Sequence, residues 1–197
     1  MILVSNHRGR AHDCNGRTPT QYAKAMTTAS ATKPGLMARL FPTRGREKLR
    51  PLYDALVAEA RARHWYATGG VPDTIDGRFD MVALVLSLVL MRLEAVHGEV
   101  DAVRLTEIFI EDMDGQVREI GFGDLVVGKQ VGRIMAMVGG RLGAYAGSFT
   151  DDALVRNLYR GVAPGDAELA RTKVEAESLR GRIEALSLAD LRAGRLA

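Results

Sequence analysis

The chain has 197 residues, 47% of them hydrophobic and 26% charged, with Phe, Tyr and Trp together supplying only 6%. That composition suits one soluble globular core filled mainly by Leu, Val, Ala and Met, and the single cysteine, Cys14, excludes an internal disulfide framework and a cysteine-based metal site. The net charge of +3 is uneven: residues 1–46 hold eight Lys or Arg against one acid, Asp13, a net +7, and the remainder holds 19 against 23, a net −4.

The start, Met1 to Val4, is too short an apolar stretch for a signal peptide and runs straight into Asn6, His7 and Arg8. Residues 1–35 are rich in Thr, Ser, Ala, Gly and Arg and show no sustained apolar period, so they are expected to form a disordered basic tail. Such a tail meets ribosomal RNA or anionic lipid by nonspecific attraction, with no means of reading bases. At Leu36 the pattern changes. The segment GLMARLF places Leu36, Met37, Leu40 and Phe41 at helical spacing beside Arg39, and this short basic amphipathic turn can either pack on the domain or rest on a membrane surface.

From here the helical period takes over. Leu49, Leu52, Tyr53, Leu56, Val57, Ala60 and His64 predict a helix from Glu47 to Tyr66, with Pro51 in its first turns, where a missing N–H costs least. Gly69 and Gly70 end it. The turn GVPDTIDGRFDM, Gly70 to Met81, groups Asp73, Asp76, Arg78 and Asp80 at the head of a helix predicted over 77–97. Asp73 or Asp76 is placed to cap that helix, and Arg78 to pair with a carboxylate from another segment, for which Asp112, Asp114 and Glu119 are candidates. Its apolar run, Met81 to Met91, has eleven residues including Ser87, against the ~20 that a membrane span needs. A helix apolar on all sides is one buried by its neighbours.

A third helix is predicted over 102–119 on Leu105, Ile108, Phe109, Met113 and Val117, and a fourth from Asp124 to Ser148 on Val127, Val131, Ile134, Val138, Leu142, Tyr145 and Phe149. The fourth carries Gly128, Gly132, Gly139, Gly140, Gly143 and Gly147, each costing about 1 kcal/mol relative to Ala inside a helix. Gly139, Gly143 and Gly147 recur every fourth residue, which implies either a smooth face on which another helix packs closely or a soft element that opens for a client. Helical pieces at 151–160, 166–186 and 188–193 complete the chain. No segment alternates with period two for long enough to make a strand. The expected fold is all-α: a single-domain irregular multi-helix bundle over 36–197 behind the tail.

Two motifs resemble chemistry without supporting it. GDLVVGK, Gly123 to Lys129, has the spacing of a phosphate-binding loop, but Gln130 stands where Ser or Thr must hold magnesium, and Arg118, Glu119 and Gly121 precede it in place of a buried strand. Asp112-Met113-Asp114-Gly115 puts glycine fourth, whereas a calcium loop puts it sixth. The histidines, His7, His12, His64 and His97, have no short ligand spacing. The charged turns therefore read as an interhelix salt-bridge lock or as a binding face.

Several blocks, in order, resemble the ubiquinol-cytochrome c chaperone family: LYDALVAEAR (Leu52 to Arg61), GVPDTIDGRFDM, DMDGQVREIGFGDLVVGK (Asp112 to Lys129), GRLGAYAGSF (Gly140 to Phe149) and LVRNLY (Leu154 to Tyr159). The likeness spans about Arg50 to Arg195. It departs at Met137, Val138 and Gly139, where aromatic residues are common, and at Phe122, where a small aliphatic is usual. The resemblance implies a noncatalytic assembly factor for respiratory complex III that needs no cofactor and binds newly made apocytochrome b. It also implies a small partner subunit and a position near the ribosomal tunnel exit. The expected location is the cytoplasm, with peripheral contact at the cytoplasmic face of the inner membrane. Candidate client or partner residues are Asp73, Asp76, Arg78, Asp80, Asp112, Asp114, Arg118, Glu119, Asp124, Lys129, Arg141 and Tyr145. The competing readings are a metal-dependent enzyme using the Asp-rich turns and a membrane or ribosome adaptor working through residues 1–46.

Overall fold

The computed structural model of the chain describes residues 4–5, 11–12, 45–119, 124–160 and 162–196, with side chains described outside 4–5, 11–12, 114–131 and 133–135. Two compact units divide the chain, Met1–Pro42 and Thr43–Ala197. In the first, strand β1 (Val4–Ser5) pairs antiparallel with β2 (Ala11–His12), Val4 opposite His12 and Ser5 opposite Ala11. The sequence reading has no strand there, because a two-residue ladder is too short to leave an alternating pattern. The rest of the expected tail, Cys14 and the GLMARLF turn lie outside the described residues.

Among its described residues the second unit is helical throughout. After a 3₁₀ turn at Glu47–Leu49 come α1 (Arg50–Ala60), α2 (Arg63–Ala67), α3 (Ile75–Ala95), α4 (Glu99–Glu119), α5 (Asp124–Tyr145), α6 (Asp151–Leu154), α7 (Asp166–Ala185) and α8 (Leu188–Arg192). The expected helix over 47–66 is broken at Arg61 and Ala62. Two aromatic side chains fold back to end it: Trp65 Nε1 donates to Glu59 O at 3.1 Å and Tyr66 Oη to Ala60 O at 2.7 Å. They satisfy carbonyls that the end of a helix leaves open.

Helix α3 is the axis of the unit. Every residue from Asp80 to Leu90 is buried, because α1, α4, α5, α7 and the turn after α6 all pack on it. Its start is set by Thr74, whose hydroxyl accepts from Gly77 N at 3.1 Å, so neither Asp73 nor Asp76 is the cap. Gly77 cannot be replaced cheaply: a Cβ there would lie 1.9 Å from Pro72 O. The surrounding core includes Leu52, Leu56, Trp65, Leu105, Phe109, Leu158 and Leu179, and each large aliphatic buried in it contributes about 1.5–3 kcal/mol. No helix of the described residues is long and apolar enough to cross a membrane.

Helix α6 runs into a π-helical turn, Val155–Tyr159, and the chain leaves it through Arg160 in the left-handed conformation, φ 46° and ψ 43°. A non-glycine residue held there is uncommon and its cost must be met by surrounding contacts. Those contacts lie in the charged cluster at the head of α3.

Candidate functional site

Asp80 opens the buried run of α3 with 0% of its surface exposed. A carboxylate in such a place needs partners, since an isolated buried charge costs many kcal/mol. Two arginines supply them. From α5, Arg141 Nη2 donates to Asp80 Oδ1. From the end of the π turn, Arg160 grips the same carboxylate through Nε to Oδ2 and through Nη2 to Oδ1 at 3.0 Å. Arg160 Nη1 also reaches Asp76 Oδ2 at 3.1 Å, so the cluster of two acids and two bases is formally neutral. The left-handed backbone at Arg160 is what turns its guanidinium back toward α3. In return, the hydrogen bonds to Asp80 hold the Arg160 guanidinium above its ordinary pKa.

The cluster extends along α5. The Arg141 guanidinium lies 5.9 Å from the Phe79 ring centre, and Tyr145, one turn further on, is fully buried against Phe149 with ring centroids 5.2 Å apart. Burial pushes the Tyr145 hydroxyl above its usual pKa, with the Arg141 cation pulling the other way. Asn157 and Arg141 flank that hydroxyl and lower its pKa against the effect of burial. Arg180 closes the end of α5, donating to Tyr145 O at 2.8 Å and to Gly147 O while its guanidinium stacks 4.1 Å over Phe149.

Arg78 does not take the role expected from sequence. It stands on the exposed side of the first turn of α3 and pairs locally with Asp73 at 2.6 Å, which holds the Asp73 carboxyl below its usual range. The residue that ties distant segments is Asp80, two positions on and turned toward the core. In the second charged block, Asp112 accepts from Tyr53 Oη at 2.7 Å; burial first and this bond second raise the Tyr53 pKa. The side chains of Asp114, Arg118, Glu119, Asp124 and Lys129 lie outside the described residues. Among the described residues no group of three His, Cys, Asp or Glu side chains could hold a metal ion.

Arg160 is the cluster member that sequence reasoning missed. A signal was present: an acid directly before an all-round apolar run must find a buried base. The sequence could not say which. Two further ties also escaped notice, Arg46 to Glu111 at 3.0 Å and Arg192 to Asp101 at 2.6 Å.

The glycines of α5 overturn the close-packing reading. Among the described residues a Cβ built on Gly132, Gly139, Gly140 or Gly143, or on Gly147 just past the helix end, would meet nothing within 4 Å, and all five are exposed. The reason is rotational: Val138, Arg141 and Tyr145 face α3 and its surroundings, which turns the glycines outward. Beside them Met137 is 36% exposed, while Ile75 and Val162, close in sequence to the two ends of the Asp76–Arg160 pair, are 75% and 61% exposed. From Ala136 to Gly143 the result is a smooth outer helix face, while Val138 and Arg141 turn inward toward the Asp80 cluster.

Comparison with known proteins agrees with this architecture. The family model described as "Ubiquinol-cytochrome C chaperone" matches residues 67–197. Among solved structures, the crystal structure of the Cbp3 homolog from Brucella abortus is similar to this chain with a TM-score of 0.66 and 27% identity, over 81% of this chain and 94% of that one. No curated protein matches.

Proposed function

The chain belongs to the ubiquinol-cytochrome C chaperone family, and from that premise we propose that it is a noncatalytic chaperone for assembly of respiratory complex III, with newly made cytochrome b as its client. The outer face of α5 carries the reading of where the client sits. Four glycines there, Gly132, Gly139, Gly140 and Gly143, meet no described atom, at about 1 kcal/mol of helix stability each relative to Ala. Surface positions have no packing need for glycine. A client helix does: small residues let two helix backbones approach closely, which is how membrane-spanning segments recognise one another. The Asp80 cluster then has a positioning role, holding α5 on α3 so that this face is presented in one orientation.

The decisive experiment separates folding from holding. Replacing Gly143 by Glu puts a charged side chain into open space, so the thermal midpoint stays near that of the native chain, while capture of cytochrome b from respiring cells is lost. Gly143→Ala keeps the surface smooth and retains capture. Deletion of the gene lowers assembled complex III and leaves the other respiratory complexes near normal. Unchanged complex III on deletion would overturn the assembly role, and undiminished capture by Gly143→Glu would remove α5 as the client face.

A further inference from the structure

Helix α7 has two faces of different character. Thr172, Ala176, Leu179 and Ile183 are buried against the core. The opposite face repeats Ala167, Ala170, Val174, Ser178 and Gly181 at steps of three and four, all exposed, with Val174 at 67%. An exposed valine between small residues in the middle of an otherwise polar helix is an unpartnered seam. The charges around it say what fits.

Read outward from Val174, the helix is opposite to itself. Lys173 balances Glu175, Arg171 balances Glu177, Glu168 balances Arg180 and Asp166 balances Arg182, so that of the charged residues of the helix Glu184 alone lacks a counterpart of the other sign at the same distance. In an antiparallel pair of identical helices related by a two-fold axis through Val174, residues at the same level stand on opposite flanks, and opposite charges meet two positions off level: Arg171 and Lys173 of one copy beside Glu175 and Glu177 of the other. Closed two-fold contacts of this self-complementary kind are the commonest form of protein self-association. Like flanks of the two helices meet in such a pair. At a rise of 1.5 Å per residue, Arg171 of one copy and Glu175 of the other stand about 3 Å apart along the axis, twice by symmetry. Both are exposed, and neither makes an ion pair among the described residues, although they are one turn apart on the same helix. Most of the other charges on α7 are engaged within the chain: Lys173 with Asp151 at 2.7 Å, Arg182 with Glu59 at 3.4 Å and Glu177 with Phe149 N at 3.1 Å. Asp166 and Glu184, acids on one flank near the two ends, are drawn apart by the ordinary crossing angle of packed helices.

We propose that the outer face of α7 is a self-association surface whose partner is a second copy of this chain, bound antiparallel about Val174. One helix pair buries less than the ~1,200 Å² typical of stable interfaces, so the dimer is weak and forms at high local concentration, as on a shared assembly site.

Sedimentation equilibrium over a concentration series into the millimolar range tests this on the full chain. The native chain shows a monomer–dimer equilibrium, Arg171→Glu and Glu175→Arg each weaken it about tenfold through two lost ion pairs, and the double exchange Arg171→Glu with Glu175→Arg restores it. All three variants change only exposed side chains, so their folds are intact by circular dichroism. A second arm places Val174→Cys in a Cys14→Ser background, where oxidation gives a disulfide-linked dimer and a control cysteine at exposed Asp54 on α1 does not. A chain that stays monomeric at millimolar concentration would overturn the proposal. So would dimerisation indifferent to both single exchanges, a double exchange that fails to restore it, or equal crosslinking at the two cysteines.

Discussion

The central helix α3 and its neighbour α5 run 21 and 22 residues and pack on each other, yet only α3 is closed on every side. From Asp80 to Leu90 every residue is buried, and the one charge in that stretch is gripped by two arginines. Helix α5 gives Val138, Arg141 and Tyr145 to the interior and leaves its glycines in open space. Similar apolar content therefore serves two ends. In α3 it supplies the core; in the described part of α5, Val138 and Tyr145 go to the core while Met137 and the glycines beside it stay outside.

The contrast is broken most directly at the clamp. Asp80→Asn leaves the buried Arg141 guanidinium facing a neutral amide, while Arg160, 40% exposed, keeps its pair with Asp76, and the expected loss is about 3–5 kcal/mol of unfolding free energy by urea titration. A loss below about 1 kcal/mol would mean that solvent reaches the cluster and that α3 is not sealed at its head. Leu84→Ala, in the middle of the buried run, costs about 2–4 kcal/mol by the same measurement, through lost transfer energy and the cavity left behind.

The outer face of α5 should respond with the opposite sign. Gly143→Ala meets no neighbouring atom and removes backbone freedom from the unfolded chain, so it is expected to stabilise by about 1 kcal/mol. Destabilisation would show that the glycine is needed for folding and would return α5 to the same class as α3. A smaller effect depends on pH. Tyr53 and Tyr145 are held above the ordinary phenol value of 10.0, chiefly by burial, so above that pH the unfolded chain releases phenolic protons that the folded chain keeps. Stability from this source is complete below pH 10 and falls as pH rises beyond it. Tyr145→Phe removes part of the fall, so its advantage over the native chain grows between pH 9 and pH 11. The smallest response is at Arg78: its pair with Asp73 is exposed, and Arg78→Ala should leave the urea midpoint unmoved.

The residues show where reading the sequence succeeds and where it stops. The buried α3 is visible in its composition, and the ends of α4, α5 and α7 fall within a few positions of the spans that periodicity predicts. The break at Arg61 is hidden because it depends on Trp65 and Tyr66 turning back to carbonyls behind them, a choice of side-chain direction that no apolar period records. Thr74 displaces Asp73 and Asp76 as the cap because the backbone at Thr74 is extended, at φ −116° and ψ 168°, and leaves its hydroxyl facing Gly77 N. Arg78 stands out in the sequence because it lies among the acids of its own turn, while the partners of Asp80 stand 61 and 80 residues away.

Local order alone therefore determined the helices, the helix that must be buried and the family likeness, since spacing at 3.6 residues per turn fixes which side chains share a face. Which arginines close on Asp80, and which side of α5 is left open, were decided only when the helices packed. Both depend on distances between segments far apart along the chain, and those distances come from how several apolar faces share one interior.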